Sequence, residues 1–105
     1  MSSQILSIMM FAEKIRQLRE EKQLLQRQVS AFLEIDNALY CKIERGDRTA
    51  KREQAVKLAE LLNINKDELL KLWLADKVYD IVDGEDNVKD VLKIVAEKMT
   101  NYERR

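Results

Sequence analysis

Gln26-Arg27-Gln28-Val29-Ser30-Ala31-Phe32-Leu33-Glu34-Ile35-Asp36-Asn37-Ala38-Leu39-Tyr40-Cys41-Lys42-Ile43-Glu44-Arg45-Gly46 is the stretch whose reading decides the fold. It divides into two short amphipathic segments, with Val29, Leu33, Ile35, Tyr40 and Ile43 spaced so that one side of each segment faces a shared interior. Glu34-Ile35-Asp36 between them is too short for a loop and long enough for a turn between helices. Asp36 stands at the N-cap position of the second segment, with a carboxylate suited to accept a backbone N–H of the next turn. Gly46 ends that segment as a left-handed C-cap.

The flanking chain carries the same helical rhythm. Phe11, Ala12, Ile15 and Leu18 give a helix over residues 11–22, with Lys14, Arg16, Arg19, Glu20 and Glu21 on its other faces. Leu24 plugs the corner before the second helix, which runs from Leu25 to Leu33; the third runs from Asn37 to Arg45. After the polar loop Asp47-Arg48-Thr49 comes a fourth stripe of Ala55, Leu58, Ala59 and Leu62, flanked by Val56 and Leu61. Asn65 caps a fifth helix, with Glu68 as its capping-box partner. Leu69, Leu70, Leu72, Trp73 and Leu74 make that helix apolar almost all round, so it needs more than one partner surface. The pattern continues through Val78, Tyr79, Ile81 and Val82 until Asp83-Gly84-Glu85 breaks it. A last helix starts at Asn87, which caps it with Asp90 three residues on, and carries Val88, Val91, Leu92, Val95 and Met99. No strand signal or internal repeat occurs, so the chain reads as all-α.

The 105 residues support one domain with a short appendage. The sequence places an N-terminal leader or arm at residues 1–8, the main domain at 9–75, and a C-terminal helical extension at 76–105. Apolar residues at 46% and charged residues at 36% suit a helix-rich globule and exclude outright disorder. Histidine is absent and Cys41 is the single cysteine, so the usual zinc ligands are missing and no intrachain disulfide can form. That suits a reducing, cytoplasmic setting. Neither a membrane span nor a signal peptide is present in the pattern.

The net charge is zero, yet it is unevenly placed. Residues 14–52 carry ten Lys/Arg against six Asp/Glu, and residues 53–105 carry nine against twelve. A basic front and an acidic rear fit a protein of which one face meets phosphate. Short helix, tight turn and capped helix form the helix-turn-helix layout, whose second helix enters the DNA major groove.

The spacing from Leu24 and Gln26 through Val29-Ser30, Leu33, Ile35 and Tyr40 to Ile43-Glu44-Arg45-Gly46 resembles the Xre/Cro family of phage-repressor-like regulators. Leu58-Ala59, Leu62, Ile64, Asp67 and Leu69-Leu70 extend the likeness over about residues 10–70. Small restriction-modification controllers share that superfamily, and the chain length fits them. The resemblance implies a five-helix phage-repressor-like domain, here with an additional C-terminal helix, and an internal ion pair between Arg19 and Glu44. Two unrelated solvated charges are the alternative for that pair. The sequence departs from the family at Leu25, where a side-chain N-cap is usual, and at Glu34, which replaces a turn glycine. It departs again at Tyr40 and Cys41. Glu34 in that slot implies a backbone conformation that does not require glycine.

Mapped onto the family pattern, Asn37, Ala38, Leu39 and Lys42 lie on the outward face of the third helix as candidate base readers. Lys42 suits guanine O6/N7, Asn37 an adenine edge, and Ala38 or Leu39 a thymine methyl. Leu39 has the alternative of turning inward. Gln26 at the start of helix two, with Arg27, Arg45, Arg48, Lys51 and Arg52, suits backbone phosphates. Cys41 beside Lys42 is either a redox-sensitive thiol or a small residue in a serine slot.

Specific recognition by one such domain requires a second recognition helix one DNA turn away, hence a homodimer. The surplus apolar surface after residue 70 is the candidate interface: Leu72, Trp73, Val78, Tyr79, Val91 and Val95, with Trp73 as anchor. Folding of the last helix back onto the fifth is the alternative. The function expected is a sequence-specific regulator on double-stranded DNA, with no cofactor, no small-molecule ligand and no membrane. An antitoxin-like module that binds a protein partner is the second reading. With no histidine, no phosphate loop and no paired acids in a catalytic arrangement, an enzyme is disfavoured.

Overall fold

A computed structural model describes residues 10–103; the expected leader over residues 1–8 lies outside them. Six helices follow one another: α1 Met10–Glu21, α2 Gln26–Leu33, α3 Asn37–Arg45, α4 Arg52–Leu62, α5 Lys66–Val82 and α6 Val88–Glu103. No strand occurs among the described residues. The apolar stripes read from the sequence converge on one core, in which Ile15, Val29, Tyr40, Leu58, Leu62 and Leu69 are fully buried. Helix α5 runs unbroken across residue 75, so the main domain and the C-terminal extension share a helix.

The first four helices end in the same way. A residue one or two positions past each helix adopts a left-handed conformation: Gln23 (φ 56°), Glu34 (φ 58°), Gly46 (φ 84°) and Asn63 (φ 55°). The amide one position further on donates back to a carbonyl five residues earlier: Leu24 to Arg19 at 3.0 Å, Ile35 to Ser30 at 3.0 Å, Asp47 to Lys42 at 2.9 Å and Ile64 to Ala59 at 3.0 Å. This is the Schellman closure, and three of its four returning residues, Leu24, Ile35 and Ile64, pack on the core. The conformation expected at Glu34 is therefore corrected. Glu34 occupies the glycine-favouring region, held there because Ile35 must turn into the core immediately after α2.

Two expected caps also differ. Asp36 has the extended backbone of an N-cap, but its side chain makes no capping hydrogen bond. Its carbonyl accepts from Tyr40 N–H at 3.1 Å, as an ordinary helix start requires. Asn87 lies in the left-handed region (φ 60°) and not in the extended conformation of an N-cap, so α6 begins at Val88. At Asn65 the side chain does cap, accepting from Glu68 N–H at 3.1 Å. Leu25 supplies no cap to α2; its own N–H is instead taken by Gln28 Oε1 at 2.7 Å.

Helix α1 is capped from a distance. The Asp76 carboxylate on α5 accepts Met10 N–H at 3.2 Å and Phe11 N–H at 2.9 Å, tying the start of the domain to the middle of α5. Burial raises the Asp76 carboxyl above its ordinary value, and these two amide bonds offset only part of that rise.

Candidate nucleic-acid interface

Three side chains meet at the Glu44 carboxylate, in the last turn of α3. Arg19 Nε lies 2.7 Å from Oε2 and Nη2 lies 2.8 Å from Oε1, a side-on bidentate pair. The Tyr40 hydroxyl donates to Oε2 at 2.7 Å and Gln26 Nε2 donates to Oε1 at 3.0 Å. Arg19 Nη1 also donates to the Leu24 carbonyl at 2.7 Å. One carboxylate thus links the end of α1, the start of α2 and the body of α3. A buried charge is tolerable when it is paired and its lone pairs are filled, and this one is. No buried side-chain polar atom among the described residues lacks a partner.

The electrostatics follow from that geometry. Burial pushes the Glu44 carboxyl up, and the bonds from Arg19, Tyr40 and Gln26 together bring it below its ordinary value. Burial first, and then the bond to Glu44, raises the Tyr40 phenol well above the usual range. The Glu44 bond likewise raises the Arg19 guanidinium. All three groups therefore hold their charge states firmly near neutrality, and the roll of α3 about its axis is fixed.

With Tyr40, Ile43 and Glu44 turned inward, Asn37, Ala38 and Lys42 are left exposed along the opposite side of α3. Lys42 makes no salt bridge among the described residues. Asn37 Oδ1 lies 3.3 Å from the Ser30 hydroxyl, which is also 3.1 Å from the Arg27 carbonyl, so the first residue of α3 is steadied by α2. Leu39 is half-buried and packs on the core, which leaves it less of its surface to present outward.

The basic positions are mostly free. Arg27, Arg48, Lys51 and Arg52 are exposed and form no salt bridge among the described residues. Arg45 is exposed but meets Asp47 at 3.0 Å, a surface pair of small energetic weight. Gln26, expected on a phosphate, meets partners within the chain. Its side chain is half-buried, donating to Glu44 and receiving Cys41 Sγ at 3.2 Å, because the Arg19–Glu44 pair draws a carboxylate to the start of α2. Cys41 is half-buried behind that contact.

The reading of Trp73 as an interface anchor is corrected. Trp73 is 6% exposed, and its indole Nε1 donates to the Ala50 carbonyl at 2.7 Å. A buried indole N–H needs an acceptor, and the loop before α4 supplies one. Trp73 thus belongs to the core and cannot anchor a second chain. Beyond it, Leu72 and Tyr79 are half-buried, and Val78, Val91 and Val95 are exposed. No side chain of α6 is buried; its apolar stripe stands open, with Val95 at 52% and Met99 at 54% exposure. Val88 and Leu92 border an apolar groove of ≈ 580 Å³ that Val78, Tyr79 and Val82 line from α5.

Sequence reasoning missed Asp76 and the stacking of Lys77 on Trp73, with Nζ 3.9 Å from the ring centroid. Asp76 caps a helix about 65 residues away, which leaves no local signal. Tyr40 and Glu44 do leave one, a phenol and a carboxylate four residues apart on one helix face.

Residues 12–73 match the family model described as a helix-turn-helix domain. The high-resolution crystal structure of the restriction-modification controller protein C.AhdI from Aeromonas hydrophila is similar, at 30% identity and a TM-score of 0.55. The likeness covers 61% of this chain and 97% of that one. The curated proteins gave no match. The family match ends inside α5, so the rest of that helix and all of α6 lie beyond it.

Proposed function

Because the chain belongs to the Xre-type helix-turn-helix family of DNA-binding domains, we propose that it is a sequence-specific transcriptional regulator acting as a homodimer on a palindromic operator. Members of this family bind DNA and are not enzymes. One observation carries the specific reading. Helix α3 is locked by the Glu44 network on one side and leaves Asn37, Ala38 and Lys42 exposed on the other. A rigid helix with an exposed polar face is what base-edge recognition requires, since each wrong base then leaves a hydrogen bond unmade. Arg27, Arg48, Lys51 and Arg52 flank it as phosphate contacts, and the first backbone amides of α2 take the role expected of the Gln26 side chain. The likeness to a restriction-modification controller supports a regulator.

Dimerisation is assigned to the surface that the core leaves open. The apolar stripe of α6, namely Val88, Val91, Leu92, Val95 and Met99, runs along one side of the helix, with Ile94 and Tyr102 exposed beside it. A stripe of this kind can meet a copy of itself running antiparallel across a two-fold axis. Val78 on α5 extends the apolar surface. Helix α6 contributes nothing to the core of its own chain, and an apolar stripe in water is costly until something covers it.

Selection of bound sequences from random duplex DNA tests the reading. The expected result is a palindromic motif with half-sites about 10 bp apart. Failure to enrich any motif, with DNA retained only non-specifically, would overturn it.

A further inference from the structure

We propose that Lys77 is a DNA-phosphate contact of this chain, presented by the face of Trp73 beside Arg48 and Arg52. The inference rests on the DNA-binding reading above and concerns a residue beyond the family match, which ends at residue 73. Three observations place it. Lys77 Nζ sits 3.9 Å from the Trp73 ring centroid, and Arg52 Cζ lies 5.1 Å from the same ring. The ring is itself pinned to the loop before α4 by the bond from Nε1 to the Ala50 carbonyl at 2.7 Å. Lys77 also lines one cleft with Gly46, Arg48 and Thr49, at the C-terminal end of α3.

Lys77 has carboxylates close by in its own helix, yet it pairs with none. Asp76 is engaged by the Met10 and Phe11 amides, and Asp80 lines the same cleft without forming a salt bridge to Lys77. An ammonium over an indole keeps its whole charge, because the ring quadrupole attracts the cation without neutralising it. The stacking also restricts a side chain that would otherwise lose rotamer freedom on binding, so less entropy remains to be lost when an anion arrives. Arg48, Arg52 and Lys77 together offer unneutralised cations around one loop edge, next to the end of the helix proposed to enter the groove. The matching ligand is a backbone phosphodiester, and the contact is indifferent to base sequence.

Binding of the full-length chain to its selected operator and to a random-sequence duplex, measured across a salt series, tests the proposal with Lys77→Gln and Lys77→Arg. In Lys77→Gln the slope of log K against log salt should lose ~0.9 in magnitude for each subunit bound. Affinity should fall by the same factor on both DNAs, and Lys77→Arg should keep the wild-type slope. If Lys77→Gln alters thermal unfolding but leaves the slope unchanged, the lysine serves the fold and the proposal is overturned. A wild-type chain with no salt-dependent DNA binding would defeat the DNA-binding reading itself, and this inference with it.

Discussion

The Arg19 guanidinium and the Glu44 carboxylate meet edge to edge, with Nε–Oε2 at 2.7 Å and Nη2–Oε1 at 2.8 Å. The pair holds the end of α1 against the last turn of α3, and through Gln26 it reaches the start of α2. Truncating one partner of such a pair leaves the other desolvated and unmatched, at a cost of about 3–5 kcal/mol when burial is complete. Arg19 retains some solvent contact, with 13% of its side chain exposed, so Glu44→Ala should fall toward the lower end, ~3 kcal/mol. Urea unfolding with an unchanged m-value measures it. A loss under ~0.5 kcal/mol would mean that the pair is energetically idle.

The same carboxylate makes the fold acid-sensitive. Its value in the folded chain lies below the ordinary one of 4.5, so its contribution is complete above that pH and lost as the pH falls through the folded value. Asp76 runs the other way. Its raised folded value favours the protonated form, so its contribution is complete below the ordinary value of 3.8 and is lost as the pH rises through the raised one. The stability gap between wild type and Glu44→Gln should therefore shrink as the pH drops below 4.5. A gap that stays constant through acid titration would contradict the assignment.

Glu34 carries a left-handed backbone that an L-residue adopts only at a cost. Glycine pays no such steric cost, although it adds entropy to the unfolded chain. Glu34→Gly should accordingly stabilise the protein by roughly 0.5–1 kcal/mol, read as a rise of about 4–8 °C in Tm per kcal/mol. A lower Tm would show that the Glu34 side chain contributes more than the strain removes.

Val95 lies within the apolar stripe on α6 and is 52% exposed. Placing a carboxylate there should leave the core untouched, since no side chain of α6 is buried. Val95→Asp should convert a dimer to a monomer in light scattering and weaken operator binding while keeping the helical content. If the variant retains the mass of the wild type, another surface joins the copies.

Lys42 separates readout from clamping. On the proposed major-groove face, Lys42→Ala should cost about 1–3 kcal/mol on the selected operator and far less on random DNA. Equal losses on both would reassign Lys42 to the phosphate backbone.

By itself the sequence determined the helices and the corner between α2 and α3. Periodic apolar positions such as Val29, Leu33, Tyr40 and Ile43 report local geometry, because residues three and four apart share a helix face whatever the rest of the chain does. The exposed face of α3 followed for the same reason: once the inward residues of a short helix are known, the outward ones are known too. Only the tertiary structure decided which element covers which face. Helix α5 is apolar almost all round, so its pattern could not assign Trp73 to the core and Val78 to the surface; the Ala50 carbonyl, held out by the loop before α4, made that choice. The cap of α1 by Asp76 and the capture of Gln26 by Glu44 likewise depend on groups brought together from separate helices. Periodicity records that a face must be covered, but a hydrogen bond needs its partner's position to within a few tenths of an ångström, and packing alone sets that.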